Sequence, residues 1–251
     1  MSLVDILAHP DDPAYGLERD NTLRLAYADD IEAEDAARAE LIRLQIEPAA
    51  ASGPARRRQR ARDLLSRHGR GWAAVTDLVA GYRFYRGFVG HVTLSARDFL
   101  ERGARLYGLA PITEVALRGG VRENLDAIAA SPLLARLRAL DLAGQGIGDA
   151  GVARLAVSPH LRNLLAINLE QNRLTANGVR ALAESRGVPR LRLAGLAGNV
   201  EDLRPDTAQG ERGEELAPLA QQIEDELGGR IGWLHAGTAW AQDENEALTY
   251  S

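Results

Sequence analysis

The apolar positions of the second half of the chain recur in a fixed phrase. Leu137, Leu140, Leu142, Gln145 and Ile147 spell LxxLxLxxQxI. A shift of 27 residues finds it again as Leu164, Ile167, Leu169, Asn172 and Leu174. The same shift pairs Gly151 with Gly178, Val152 with Val179 and Leu155 with Leu182. A further 27 residues gives Leu191, Ala194, Leu196 and Asn199, after which the phrase fades. Backward by 25 residues, Ile112, Val115, Leu117 and Gly120 fit, and Val89, Val92 and Leu94 form a weaker copy. The LxL core is strand alternation, with both leucines on one face. The Gly-Val-x-x-Leu-Ala stretch that follows has helical spacing. Asp149 is a candidate N-cap for the first such helix, and Thr175 or Asn177 for the next. Each unit is therefore a strand followed by a helix, and one unit alone cannot bury its leucine face.

This phrase resembles the leucine-rich-repeat family, and its 25–27 residue period is most similar to the ribonuclease-inhibitor-like class. The resemblance implies an α/β fold. It would be a short right-handed solenoid over residues 88–200, with a curved parallel sheet and helices on the convex side. Gln145, Asn172 and Asn199 would form a structural ladder, because a terminal amide can satisfy backbone groups of the turn beside it. Gln145 is longer than Asn and fits that role less readily. The residues between the leucines would line the concave side. His91, Thr93 and Ser95 begin that row, and Ala116, Ala139, Ala143, Ala166, Leu193, Gly195 and Ala197 make much of it plain. Its chemistry rests on Glu114, Arg118, Asp141, Asn168 and Glu170, which form the expected binding face.

Residues 1–87 carry helical spacing and no LxL, so an all-α domain is expected there. Asp20 or Asn21 would cap a helix bearing Leu23, Tyr27 and Ile31. A second helix would run over 36–46, with Ala37, Leu41, Leu44 and Ile46 as its apolar side. Pro48, Gly53 and Pro54 mark a break, then come an arginine run and Leu64 and Leu65. Trp72, Val75, Leu78 and Val79 would start a fourth helix. The string Leu23-Arg-Leu-Ala-Tyr-Ala-Asp29, then Arg38-Ala-Glu-Leu-Ile-Arg-Leu-Gln45, resembles the bacterial repeat-companion domain. It matches at Tyr27, Ala28, Asp29, Glu32, Arg38, Glu40, Ile42, Arg43, Leu44 and Gln45. It departs at Asp30, where Trp is usual, and at Leu41, where Phe is usual. Arg86-Gly-Phe-Val-Gly-His-Val-Thr-Leu94 resembles that family's junction with its repeats. The resemblance implies an architecture and brings no activity. Residues 201–251 read as an acidic loop, a capping helix at 216–227, a cap from Ile231, Trp233 and Leu234, and a tail.

Composition then removes chemistry. The chain has no cysteine and no lysine, which excludes disulfides, thiolate nucleophiles, Cys-based zinc sites, a lysine Schiff base and a Walker-type phosphate loop. Net charge is −5, so the chain as a whole should not be drawn to nucleic acid or anionic membrane. No secretory leader and no apolar run of membrane-spanning length stands out, so the expected location is cytoplasmic. Arg56, Arg57, Arg58, Arg60 and Arg62 could hold phosphates, but no aromatic interleaves with them and a solvated helix face explains them as well. Asp11, Asp12, Asp29, Asp30, Glu32, Glu34 and Asp35 lack the spacing of a calcium loop. His9, His68, His91, His160 and His235 form no metal-binding or catalytic pair. The expected function is a non-catalytic protein-interaction module: monomeric, without cofactor or metal, and binding another protein. The alternatives are an enzyme activator such as a GTPase-stimulating protein, or anion and nucleic-acid binding through residues 56–62.

Overall fold

The computed structural model describes Ile6, residues 16–46 and 54–199, and Asp225 and Glu226. The expected loop, capping helix, cap and tail over 201–251 lie outside the described residues, save those last two. So do Asp11, Asp12, His9 and His235. Elements follow in the order α1 (Gly16–Ile31), α2 (Ala36–Ile46), α3 (Pro54–Trp72), β1 (Gly81–Tyr85), β2 (Phe88–Leu94) and α4 (Ala96–Leu109). Then come β3 (Glu114–Leu117), α5 (Leu125–Ala129), a 3-10 turn (Pro132–Arg136), β4 (Ala139–Asp141), α6 (Gly148–Ala156), β5 (Ala166–Asn168), α7 (Ala176–Ala183) and β6 (Leu193–Gly195). The protein is α/β, with an open, mostly parallel six-stranded sheet whose strands follow chain order. The chain divides into two compact units, one of 1–93, 102–113 and 243–251, the other of 94–101 and 114–242.

The first unit is not all helix. The expected fourth helix does not form: Ala73 to Ala80 are turns, and Trp72 ends α3 with its Nε1 donating to Asp35 Oδ2 at 2.7 Å. The chain then enters an antiparallel hairpin in which Tyr85 pairs with Phe88 across Arg86 and Gly87. Those two residues have φ of 48° and 83°. Positive φ at both central positions is the I′ geometry, whose twist matches that of the flanking strands. Gly87 is required for a second reason, since a Cβ there would stand 2.1 Å from Ile42 Cγ1. The apolar core of this unit joins Ile6, Ala28, Ala39, Ile42 and Phe88, with Leu23, Tyr27, Ile31 and Ile46 packed against it. On α2 the fully buried residues are Ala39, Leu41 and Ile42, a face rotated from the expected one.

The second unit repeats one arrangement. Glu114 pairs with Ala139, Ala139 with Ala166, and Ala166 with Leu193, all in parallel. These pairings step through the sequence by 25, 27 and 27 residues, the same shifts that align the apolar phrase. The leucines of that phrase are the core: Leu137, Leu140, Leu142, Leu164 and Leu169 are all fully buried, and Ile167 is 1% exposed. Each contributes about 1.5–3 kcal/mol by leaving water. On the helices, Val152, Leu155, Val179 and Leu182 close the other side.

Candidate functional site

The terminal amides hold the turns of the second unit together. Asn172 is fully buried. Its Nδ2 donates to Leu142 O at 2.9 Å and Glu170 O at 3.0 Å, and its Oδ1 accepts from Ile147 N at 3.2 Å. Asn199 repeats the long-range bond one step on, donating to Leu169 O at 3.1 Å, and its near acceptor is Leu196 O at 2.7 Å. Its Oδ1 accepts from Asn172 N and Leu174 N. Gln145 acts differently because its side chain is one methylene longer. Its Oε1 accepts from Gly119 N at 2.9 Å, and its Nε2 turns back to Ala143 O at 3.0 Å.

A second series with the same period escaped sequence reading. Ser131, Ser158 and Ser185 stand 27 residues apart. Ser158 Oγ donates to Ala129 O at 2.5 Å, and Ser185 Oγ donates to Ala156 O. The two hydroxyls accept from His160 N and Gly187 N, and Ser131 accepts from Leu133 N. Their signal in the sequence is a serine that recurs at the repeat period just after each helix. The carboxylate of Asp149 adds a third tie, accepting from Thr175 N at 2.9 Å and Thr175 Oγ1 at 2.6 Å. Ile147, not Asp149, occupies the N-cap of α6, whereas Thr175 caps α7 by accepting from Asn177 N.

The five residues expected on the binding face separate into three kinds. Asp141 is 8% exposed and Asn168 3% exposed, so neither offers a contact surface. Their side chains turn onto the chain itself: Asp141 Oδ1 accepts from Ala143 N at 2.9 Å and Asn168 Oδ1 from Glu170 N at 3.0 Å. A short polar side chain next to free backbone amides makes this local bond readily. Arg118 is accessible but engaged, its Nη2 lying 2.5 Å from Asp141 Oδ2 and its Nη1 donating to Asp141 O at 3.2 Å. Glu114 and Glu170 are half-buried and remain in reach of solvent. Exposed Gln171 and Arg173, which follow Glu170 and which the repeat pattern did not single out, have φ of 54° and 62°.

In the first unit, residues between Leu23 and Gln45 tie its elements together. Arg43 bridges Asp29 at 2.6 Å and Glu32 at 2.9 Å, and these two carboxylates, Glu32 first, raise its pKa above the ordinary guanidinium value. Glu40 holds Arg60 at 2.6 Å; that hydrogen bond keeps its carboxyl below the usual range. Gln45 Oε1 accepts from Gly87 N at 2.7 Å. The guanidiniums of Arg24 and Arg38 both stand over the Phe88 ring, 5.0 and 5.2 Å from its centroid. Burial lowers the pKa of Arg38. Asp20, expected as a cap, lies inside α1, where its Oδ2 meets Arg24 at 2.9 Å and Arg86 at 2.6 Å. All three side chains are at least 96% buried.

Among the described residues no group of His, Asp and Glu is arranged to hold a metal ion, and no helix is long and apolar enough to cross a membrane. A shallow groove of about 620 Å³ runs past the C-terminal ends of α6 and α7, with Val157 on its rim 75% exposed. The two serine hydroxyls along it, Ser158 and Ser185, are committed to carbonyls, which leaves no activated nucleophile there. No protein-family model matches the chain, and no curated protein is significantly similar to it.

Proposed function

We propose that the second unit is a short leucine-rich-repeat solenoid and that the protein is a non-catalytic, cytoplasmic, monomeric module that binds another protein. The observation that supports this reading is the agreement between strand pairing and sequence repeat, in steps of 25, 27 and 27 residues. A stack of equal units with its polar groups spent on internal ladders is a rigid frame, and such frames present contact surfaces rather than reacting groups. The first unit is read as a repeat-companion domain. The contact groups on the sheet face are Glu114, Arg118 and Glu170, joined by Gln171 and Arg173; Asp141 serves by holding Arg118 in place.

The experiment is affinity capture from the native cell with full-length protein. The partner should be recovered by wild type and lost with Glu114→Arg/Glu170→Arg. An Arg162→Glu/Arg190→Glu variant, altered at two exposed positions away from that face, should retain it. Equal recovery by all three proteins overturns the sheet-face reading.

A further inference from the structure

Helix α3 contains a segregation of charge that the whole-chain balance hides. Over Pro54–Trp72 stand seven arginines and one aspartate. The chain holds 30 cationic and 35 acidic side chains, so this helix carries +6 and the remainder −11.

The structure sorts the seven. Arg57 is committed to Arg43 O at 3.1 Å and Leu44 O at 3.0 Å, where it satisfies the last turn of α2. Arg60 is committed to Glu40. Arg56, Arg58, Arg62, Arg67 and Arg70 are all exposed, and none has a hydrogen bond or ion pair among the described residues. At 100° per residue, Arg58, Arg62, Ser66 and Arg70 form one ridge, about 6 Å from each to the next, and Arg56 and Arg67 lie on the far flank of the same outward arc, about 40° and 60° round from Arg70. The opposite side is the one turned inward, with Leu64 3% exposed and Ala61 and Leu65 half-buried. Asp63, the one acid of the helix, is held by Gln59 at 2.8 Å.

We propose that the outward face of α3, formed by Arg56, Arg58, Arg62, Arg67 and Arg70, docks the phosphate backbone of duplex nucleic acid. Fixed guanidiniums at regular spacing suit a regular row of phosphates, and such binding needs no base contact. A protein partner would want an apolar or aromatic anchor at the centre of the patch, and this face has none. A membrane-lying helix would keep its apolar side free, whereas Leu64 is buried within the unit. A single strand would call for free aromatic rings to stack on, but Trp72 already stacks with His68 at 5.1 Å and is tied to Asp35. The net charge of −5 is an average over the chain, whereas binding is decided by the local field.

The test is fluorescence anisotropy of a short labelled DNA duplex with full-length protein, repeated across salt concentrations. Five phosphate contacts give a log–log slope of about −4.5, so raising salt from about 50 to about 200 mM should weaken binding about 500-fold. Arg58→Gln/Arg62→Gln/Arg70→Gln leaves two contacts, a slope of about −1.8 and a loss of only about 12-fold over the same range. The variant should also bind more weakly than wild type at low salt. Its far-UV spectrum and melting temperature should not move, since the three side chains are exposed and make no hydrogen bond or ion pair among the described residues. Arg162→Gln/Arg186→Gln/Arg190→Gln makes the same change in net charge elsewhere and should bind as wild type does. Failure of wild type to bind at about 50 mM salt, the weak end of that screening range, overturns the proposal. So does an unchanged slope in the α3 variant, an equal loss in the control, or binding to anionic lipid vesicles without binding to the duplex.

Discussion

Replacing Asn172 by Ala should be among the costlier single changes in the second unit. Three hydrogen bonds of its side chain disappear, but their partners are not left equally exposed to the loss. Glu170 O also accepts from Gly144 N at 2.9 Å and stays satisfied. Leu142 O and Ile147 N have no other partner among the described residues and lie beside a fully buried side chain. A buried polar group left without its partner costs about 1–3 kcal/mol, so two of them give roughly 3 kcal/mol. Gln145→Ala makes the contrast. Its bond to Gly119 N is solvent-exposed, water can replace the lost oxygen, and the cost should stay below about 1 kcal/mol. Urea unfolding followed by far-UV circular dichroism would measure both, with the m-value checked for constancy. Amide exchange at Ile147 should accelerate in Asn172→Ala beyond the global loss. If Asn172→Ala costs no more than Gln145→Ala, the hydrogen-bond account of the repeat is wrong and the leucines alone hold the units together.

Three further outcomes are expected. Asp20→Asn removes the carboxylate shared by the buried Arg24 and Arg86 and should cost about 3 kcal/mol; a loss below about 1 kcal/mol in thermal or urea unfolding would show that the two guanidiniums are balanced elsewhere. Arg173→Gly relieves a left-handed backbone already occupied by glycine one repeat earlier, at Gly146 with φ 63°. It should stabilise by a few tenths to about 1 kcal/mol, while Gly146→Ala should destabilise by a similar amount; the opposite signs in urea titration would refute the strain argument. Glu40→Gln should cost about 0.5 kcal/mol at neutral pH, as suits a half-exposed pair. The folded carboxyl titrates below the unfolded one, so this stability is present above the unfolded value near 4.5 and vanishes as pH falls through the folded value. Wild type and variant should therefore converge in acid, and a gap that persists there would refute the pairing.

The parts legible in the sequence are those fixed by apolar period. The LxL alternation located β3, β4 and β5, because both leucines must leave water and only one register allows it. Thr175 was legible as a cap because the capping bond is local. The misreadings share a different cause. Asp20 looks like a cap by type and position; its role depends on Arg86, 66 residues away, which local pattern cannot reveal. Trp72, Val75, Leu78 and Val79 have helical spacing, yet the helix ends at Trp72, which is tied to Asp35, 37 residues away, and the chain turns toward the strand that begins at Gly81. Asp141 and Asn168 occupy alternate positions that should face water. Their carboxylate and amide fold back onto the amides two residues ahead, and that choice depends on turn geometry rather than polarity.

A polar residue that recurs at the repeat period is suspect as a binding group, because recurrence is what a structural tie requires. Asn172 and Asn199, Ser158 and Ser185, and Asp141 and Asn168 all recur at 27 residues, and every one of them is spent on backbone. A partner is not periodic in that way, so recognition should rest on residues that break the period. Glu170 stands where the previous unit has Ala143, and Arg173 where it has Gly146. Arg118 stands 25 residues before Ala143 and is also unmatched. The free arginines of α3 lie outside the repeat altogether. Departure from the repeat, rather than polarity on an expected face, is therefore the better guide to function in this chain.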